Sequence, residues 1–238
     1  MIIIAHCAYE SYGSDKAKAN PQNCIVLTGD LQQVMVTPQL WNSSCFYMRK
    51  LSNYNFGIHD FGLDPSFMHI WNETIARREA IEIYSCVHDY IHANYSPLDH
   101  GQIRELILWT DRCVWKNKNI FALFTLMNLV RQNNFTSFSH KFYMMGHSYI
   151  DCDRDYSQIE KKQRTANIIA PADLEKVIRD AKTNNSFEIK WMDLNLLLNF
   201  KQLITFFERP ATLQGKTFTG LVTMLQHQIK FLSESIVL

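Results

Sequence analysis

No two of the six cysteines, Cys7, Cys24, Cys45, Cys86, Cys113 and Cys152, form a CxxC pair. That scatter excludes a zinc-finger framework and a short-loop disulfide scaffold, and points to free thiols in a reducing compartment. No apolar run reaches the ~18 residues that a membrane helix needs. The opening MIIIAHCAYES is too short in its apolar run, and too poor in basic residues, for a secretory leader. The expectation is an intracellular, soluble chain with no membrane partner. An excess of one charge is also missing: the net charge is +1, so only a local patch would mark a nucleic-acid binder. Glycine (8) and proline (6) are scarce in 238 residues, with 47% hydrophobic and 20% charged. This is the composition of a globular chain with one sizeable core, or one domain with an appendage. The sequence has no GxxxxGK[ST] and no GxGxxG, so no nucleotide cofactor is expected through those loops, and it has no GxSxG elbow. His88 and His92 are spaced for one helix face, but the stretch His88-Asp89-Tyr90-Ile91-His92 lacks the glutamate of HExxH.

What is present is an alternation of strand-like and helix-like runs. Residues 10–23 are polar and read as a loop or frayed lead-in. Cys24 to Thr28 is a β-branched strand ending on Gly29-Asp30, and Leu31 to Val36 is expected to extend it until Pro38. Tyr54–His59 and Phe67–Trp71 read as a hairpin across the turn residues of DFGLDPS. Asn72 or Thr74 is the expected cap of a helix running to Ser96-Pro97. A compact strand, Arg104–Thr110, ends on Asp111. A nearly all-apolar helix follows from Asn119 or Ile120 to about Arg131, and then a strand from Phe142 to Met145. Pro171 starts a helix to about Lys182, and Phe187–Trp191 reads as a short strand. Beyond it the chain reads as helical or mixed.

Three antiparallel strands followed by helix-linked strands is the ribonuclease H-like arrangement: an α/β fold with a mixed sheet flanked by helices. The expected layout is a lead-in at 1–23, the sheet domain at 24–170, and a mainly helical C-terminal extension at 171–238 packed on it. In such a fold, acids stand on the first strand, at the end of the fourth and on a helix after the fifth. The sequence supplies Asp30, Asp111 and a cluster of Asp151, Asp153, Asp155 and Glu160 at those places. Asp153 and Glu160 lie two turns apart and share a helix face, whereas Asp155 points about 200° away from Asp153. Each acid taken alone also reads as a turn or helix-start residue.

Three carboxylates converging at strand ends repel one another unless a divalent cation lies between them. Hard oxygen ligands suit Mg²⁺ or Mn²⁺. Two such ions, ~3.5–4 Å apart, would clamp the attacking and leaving oxygens of a phosphoryl displacement. His147, after the strand-breaking Gly146, would orient phosphate or assist proton transfer, although a histidine there more often satisfies backbone or carboxylate partners. Lys161, Lys162 and Arg164 beside the acids offer phosphate contacts, or simply a solvated helix face.

Several motifs together resemble the catalytic-type domain of transposon-derived proteins of the DDE class. Asp30-Leu31-Gln32-Gln33 is similar to that family's Asp-Leu-Gln-Gln. Asn55 to His59 matches Asn-Phe-Gly-Ile-His, and Trp71 to Thr74 matches Trp-Asx-Glu-Thr. Thr110 to Asn119 resembles Ser-Asp-Asn-Cys-Gly-Gly-Gln-Asn-Lys-Asn, and Gly146 to Glu160 resembles Gly-His-Ser followed by Asp-Arg-Asp-Phe and Ile-Glu. The resemblance runs from about Cys24 to Pro171. It implies a ribonuclease H-like fold, metal-dependent DNA strand cleavage and transfer, a homo-oligomeric assembly and a nuclear location. It also implies Asp30, Asp111 and Asp153 or Glu160 as catalytic acids, with Asn117, Lys118 and Asn119 in the Asn-Lys-Asn motif at the nucleic acid.

Two departures set up a second hypothesis. Val114 and Trp115 replace glycines next to the second acid, where glycine would permit positive φ or close approach. No upstream DNA-reading module is evident. The alternative is therefore an inactive, transposase-derived DNA- or protein-binding module. RNA in place of DNA is a third, weaker possibility.

Overall fold

The computed structural model describes residues 2–40, 47–63, 66–113, 116–143, 150–184 and 186–200, with side chains from residue 9 onward. A seven-stranded mixed sheet forms the centre. Strands β1 (Cys24–Leu31), β3 (Leu51–Asp60) and β4 (Phe67–Asn72) run antiparallel in succession, and the short β2 (Met35–Thr37) pairs with β3. Strands β5 (Glu105–Thr110) and β6 (Ser137–Phe142) then add in parallel on the far side of β1, and β7 (Glu188–Trp191) adds in parallel to β4. The resulting order, β6-β5-β1-β3-β4-β7, is a ribonuclease H-like α/β sheet extended by one edge strand.

The central strands are apolar on both faces, as strands covered by helices on both sides must be. Ile25 and Leu27 of β1, with Leu106 and Leu108 of β5, pack with Tyr84 and Tyr90 of α2 (Ala80–Asn94) and Leu126 of α3 (Ile120–Arg131). The alternate residues Val26, Ile107 and Trp109 pack on the other face with Tyr156 and Ile159 of α4 (Asp151–Gln163) and Leu174 and Ile178 of α5 (Pro171–Arg179). The same alternation carries Asp30 and Asp111 to the α4 face. Among the described residues, no helix is long and apolar enough to cross a membrane.

Four local expectations are corrected. The lead-in is a helix, α1 (Ile2–Ala17), and not a loop. It shows no one-sided apolar stripe; a few anchors hold it instead. The Tyr12 ring meets Phe61, Trp109 and Tyr143 edge-on, and Asp15 receives the Trp109 indole N–H at 3.1 Å and Lys141 Nζ at 2.5 Å. Of Leu31–Val36 only Leu31 continues β1: Gln32 N makes a last bond to Asn55 O at 2.9 Å, and a separate strand begins at Met35.

The helix expected from Asn72 begins instead at Ala80. Asn72 ends β4, and its Oδ1 accepts from Thr74 N and Oγ1 in a local turn. The true start has Glu79 at the cap, its N–H bonded to Glu82 at 3.0 Å. Lastly, β6 precedes the apolar run that suggested it. The polar Ser137–Phe142 lies at the sheet edge, half-buried throughout, and backbone pairing to β5 rather than apolar content makes it a strand. Met144 and Met145 lie outside the described residues. The extension is not separate up to residue 200, because α5 packs on α4 and β7 joins the sheet.

Candidate functional site

Strand register brings the first two acids together. Strands β1 and β5 pair in parallel with Gly29 opposite Thr110, so the next residues, Asp30 and Asp111, stand side by side at the carboxyl ends. Helix α4 delivers the third. Its first turn is pinned over β1 by Cys152, whose thiol reaches Thr28 O at 3.4 Å and Gly57 O at 3.6 Å. One turn on, the Tyr156 hydroxyl accepts from Gly57 N at 2.8 Å and donates to the carbonyl of Asp30 itself.

The electrostatics agree with that placement. Burial first, then the charges of Asp111 and Asp153, push the Asp30 carboxyl up to about 7; the Leu31 N–H at 2.7 Å and the Lys116 charge pull the other way. Asp153 is also raised, by burial and by Glu160, against a 3.2 Å bond from Ile150 N. Asp30 therefore senses Asp153, and Glu160 acts on Asp153 from farther along the helix. The other two acids of the cluster have structural partners. Asp151 accepts from the Tyr12 hydroxyl and pairs with Lys16 and Arg154. Asp155 takes Ser66 Oγ at 2.8 Å, Lys182 Nζ at 2.8 Å and His59.

Asp111 is held from its own loop. Asn117 Nδ2 donates to its Oδ1, Cys113 N reaches the same oxygen at 3.3 Å, and the Tyr84 hydroxyl lies 3.4 Å from Asn117 Oδ1. Neither Arg112 nor Lys118 forms an ion pair with Asp30 or Asp111 among the described residues. Among those residues, no three His, Cys, Asp or Glu side chains close around a point that could hold an ion. The three acids are coupled through their field rather than by contact. As a donor set they fit a hard divalent cation: all are carboxylates, and at Asp30 the charges of the other two outrank the opposing charge of Lys116.

The residues expected at nucleic acid divide. Asn117 is 4% exposed and engaged with Asp111, and Asn119 caps α3 by accepting from Ala122 N at 3.0 Å. Both amides thus have roles inside the protein. Lys118 lies 4.8 Å over the Phe142 ring, while Lys161, Lys162 and Arg164 are exposed at the end of α4. His147, Val114 and Trp115 lie outside the described residues.

Two participants were not singled out from the sequence, Tyr156 and the Gln32–Asn55 pair. Asn55 Nδ2 donates to Gln32 Oε1 at 2.9 Å, tying the Asp-Leu-Gln-Gln stretch to the Asn-Phe-Gly-Ile-His stretch. The co-occurrence of those motifs was the available signal. Gly57 lies in the second of them, and a Cβ there would meet the Tyr156 hydroxyl oxygen at 2.7 Å, so the helix can dock only on a glycine.

No curated protein matches the chain. Residues 64–218 match the family model of a domain of unknown function, DUF7869, a span that holds Asp111, Asp153 and Glu160 and begins after Asp30. With well over half of its length matched, the chain belongs to the DUF7869 family.

Proposed function

We propose that the chain is a polynucleotidyl transferase or nuclease of the DDE type, cutting or joining DNA strands with Mg²⁺ or Mn²⁺ held by Asp30, Asp111 and Asp153. The observation that supports this reading best is the state of Asp30, a half-buried carboxyl at a strand end, raised to about 7 beside two further acids. Three buried structural acids, Asp15, Asp151 and Asp155, are matched by lysine or arginine. Among the described residues, Asp30, Asp111 and Asp153 have no such match in contact. A bound divalent cation would supply Lewis-acid polarisation of the phosphate and neutralise charge that builds on it during displacement.

The protein's own part is positioning. Asn117 and Cys113 N fix one oxygen of Asp111, and Ile150 N fixes Asp153 at the start of α4. Tyr156 holds the backbone under Asp30. Asp30 would have to give up its proton to hold a cation, so binding should strengthen as pH rises through about 7. Exposed Lys161 and Lys162 contact the phosphate backbone. A DNA substrate carries with it a nuclear location, and strand transfer a pairing of two or more copies.

One observation favours the second reading, an inactive DNA- or protein-binding module: the Asn117 amide is closed onto the Asp111 oxygen that a cation would need. Nicking of supercoiled plasmid in Mn²⁺ separates the two. The expected result is nicking by the wild type and a loss of at least ~10²-fold in Asp111→Asn, the scale set by losing a charged contact to the transition state. Plasmid binding without nicking in either protein would establish the second reading. Cleavage of an RNA strand but not of DNA would reassign the substrate.

A further inference from the structure

A cleft of about 240 Å³ opens where the chain leaves β1 and passes under the end of α4. Its polar lining is Gln32, Gln33, Gln39, Glu160, Gln163 and Arg164, with Val34 and Met35 as apolar wall. Gln32 follows Asp30 by two positions, and Glu160 shares the α4 face of Asp153, so the cleft adjoins the acids along both elements. Its volume lies below the ~300 Å³ at which pockets for drug-sized ligands begin.

The chemistry of this lining is unusual for a nucleic-acid site. A phosphate subsite would present several cations; here one arginine is offset by one glutamate, and four carboxamides remain. A carboxamide offers a donor and an acceptor side by side, the pattern that matches base edges. Gln163 Nε2 donates to Gln39 Oε1 at 2.9 Å, so this pair presents Nε2 of Gln39 and Oε1 of Gln163 as donor and acceptor. Gln39 is itself anchored through its backbone, bonded both ways to Ile168 at 2.7 and 3.0 Å. Gln32 is 3% exposed, its Oε1 is occupied by Asn55, and its Nε2 has no partner. A buried donor left without an acceptor is costly, and a base carbonyl or ring nitrogen would satisfy it. The planar Arg164 guanidinium supplies a flat face against which a ring can lie, and Met35 an apolar contact beside it.

We infer that this cleft takes one unstacked nucleobase of the strand whose phosphate lies at the acids. The inference rests on the proposed function, because the acids define where the strand runs. A nucleotide next to the reacting phosphate would turn its base into the amide-lined cleft, fixing the strand's register by base contact rather than by charge.

The test compares single-stranded DNA oligonucleotides that carry bases with abasic ones of equal length and phosphate count. Binding to the full chain is followed by fluorescence anisotropy in Ca²⁺ buffer, which holds back cleavage. The wild type is expected to bind the base-carrying strand about tenfold more tightly, the scale of stacking and pairing one base. Gln163→Leu and Gln39→Leu should lose that preference while keeping the abasic affinity; both positions are only partly buried, so folding is not at stake. Gln32→Leu should behave alike where it folds. Lys161→Ala should weaken both strands equally. Equal wild-type binding of the two strands, or a preference that survives in Gln163→Leu and Gln39→Leu, overturns the base cleft and leaves the strand-processing reading standing. Failure of the wild type to bind either strand removes both.

Discussion

At Asp30, burial and neighbouring negative charge act in the same direction, and the consequence can be measured in stability. The folded state keeps a proton on this carboxyl up to about 7, whereas the ordinary value is 3.8. Between those values the unfolded chain has released its proton and the folded chain has not, so stability falls as pH rises through the window. Above it, the cost is fully present. Asp30→Asn should therefore be more stable than the wild type by about 2–4 kcal/mol at pH 8, with little difference at pH 4. Paired urea titrations at the two pH values check this, and an equal difference at both would rule out a raised Asp30. The sequence located Asp30 at a strand end; burial in the fold and the charges of Asp111 and Asp153, distant in the chain, raise its affinity for a proton.

Among the elements, α4 decides where the third acid stands, and the Tyr156 hydroxyl ties it to two strands at once. Tyr156 bridges Gly57 of β3 and Asp30 of β1, in a position where the resembled family motif has phenylalanine. Tyr156→Phe should cost about 1–3 kcal/mol, the loss of a buried bridge with both backbone partners left short. Thermal melts give the cost, and an unchanged melting point would show that packing alone docks the helix. Elements with local signals were legible in the sequence. Helix α3 begins where Asn119 caps it, and α5 begins at Pro171. At its other end, α3 closes with Asn133 in the left-handed region (φ 63°), its N–H and that of Asn134 satisfying Val130 O and Leu129 O. Helix α2 starts later than its sequence suggests, because Asn72 and Thr74, which have the chemistry of caps, use it to turn out of β4.

In the whole molecule, the N-terminal helix is tied to the face that carries the acids. Tyr12 reaches Asp151 at the start of α4, and Asp15 reaches Lys141 on β6, so α1 braces two elements that flank the site. Tyr12→Ala should cost about 3–4 kcal/mol, the range for deleting a buried aromatic side chain. Plasmid nicking below the melting point should be unchanged. A melting curve like that of the wild type would show that α1 is not part of the folded unit.

The strand-forming runs other than β6 and the two strand-end acids were determined by the sequence alone, because apolar runs and the turn residues that bound them act over a few positions. Tertiary structure alone decided α1 and β6, neither of which buries a regular apolar face of its own. It also decided the sorting of four clustered acids. Helical spacing grouped Asp153 with Glu160, and the packed partners then took Asp151 and Asp155 into ion pairs, leaving Asp153 in the field of Asp30. Charge and desolvation act between residues more than a hundred positions apart, and those distances exist only in the fold.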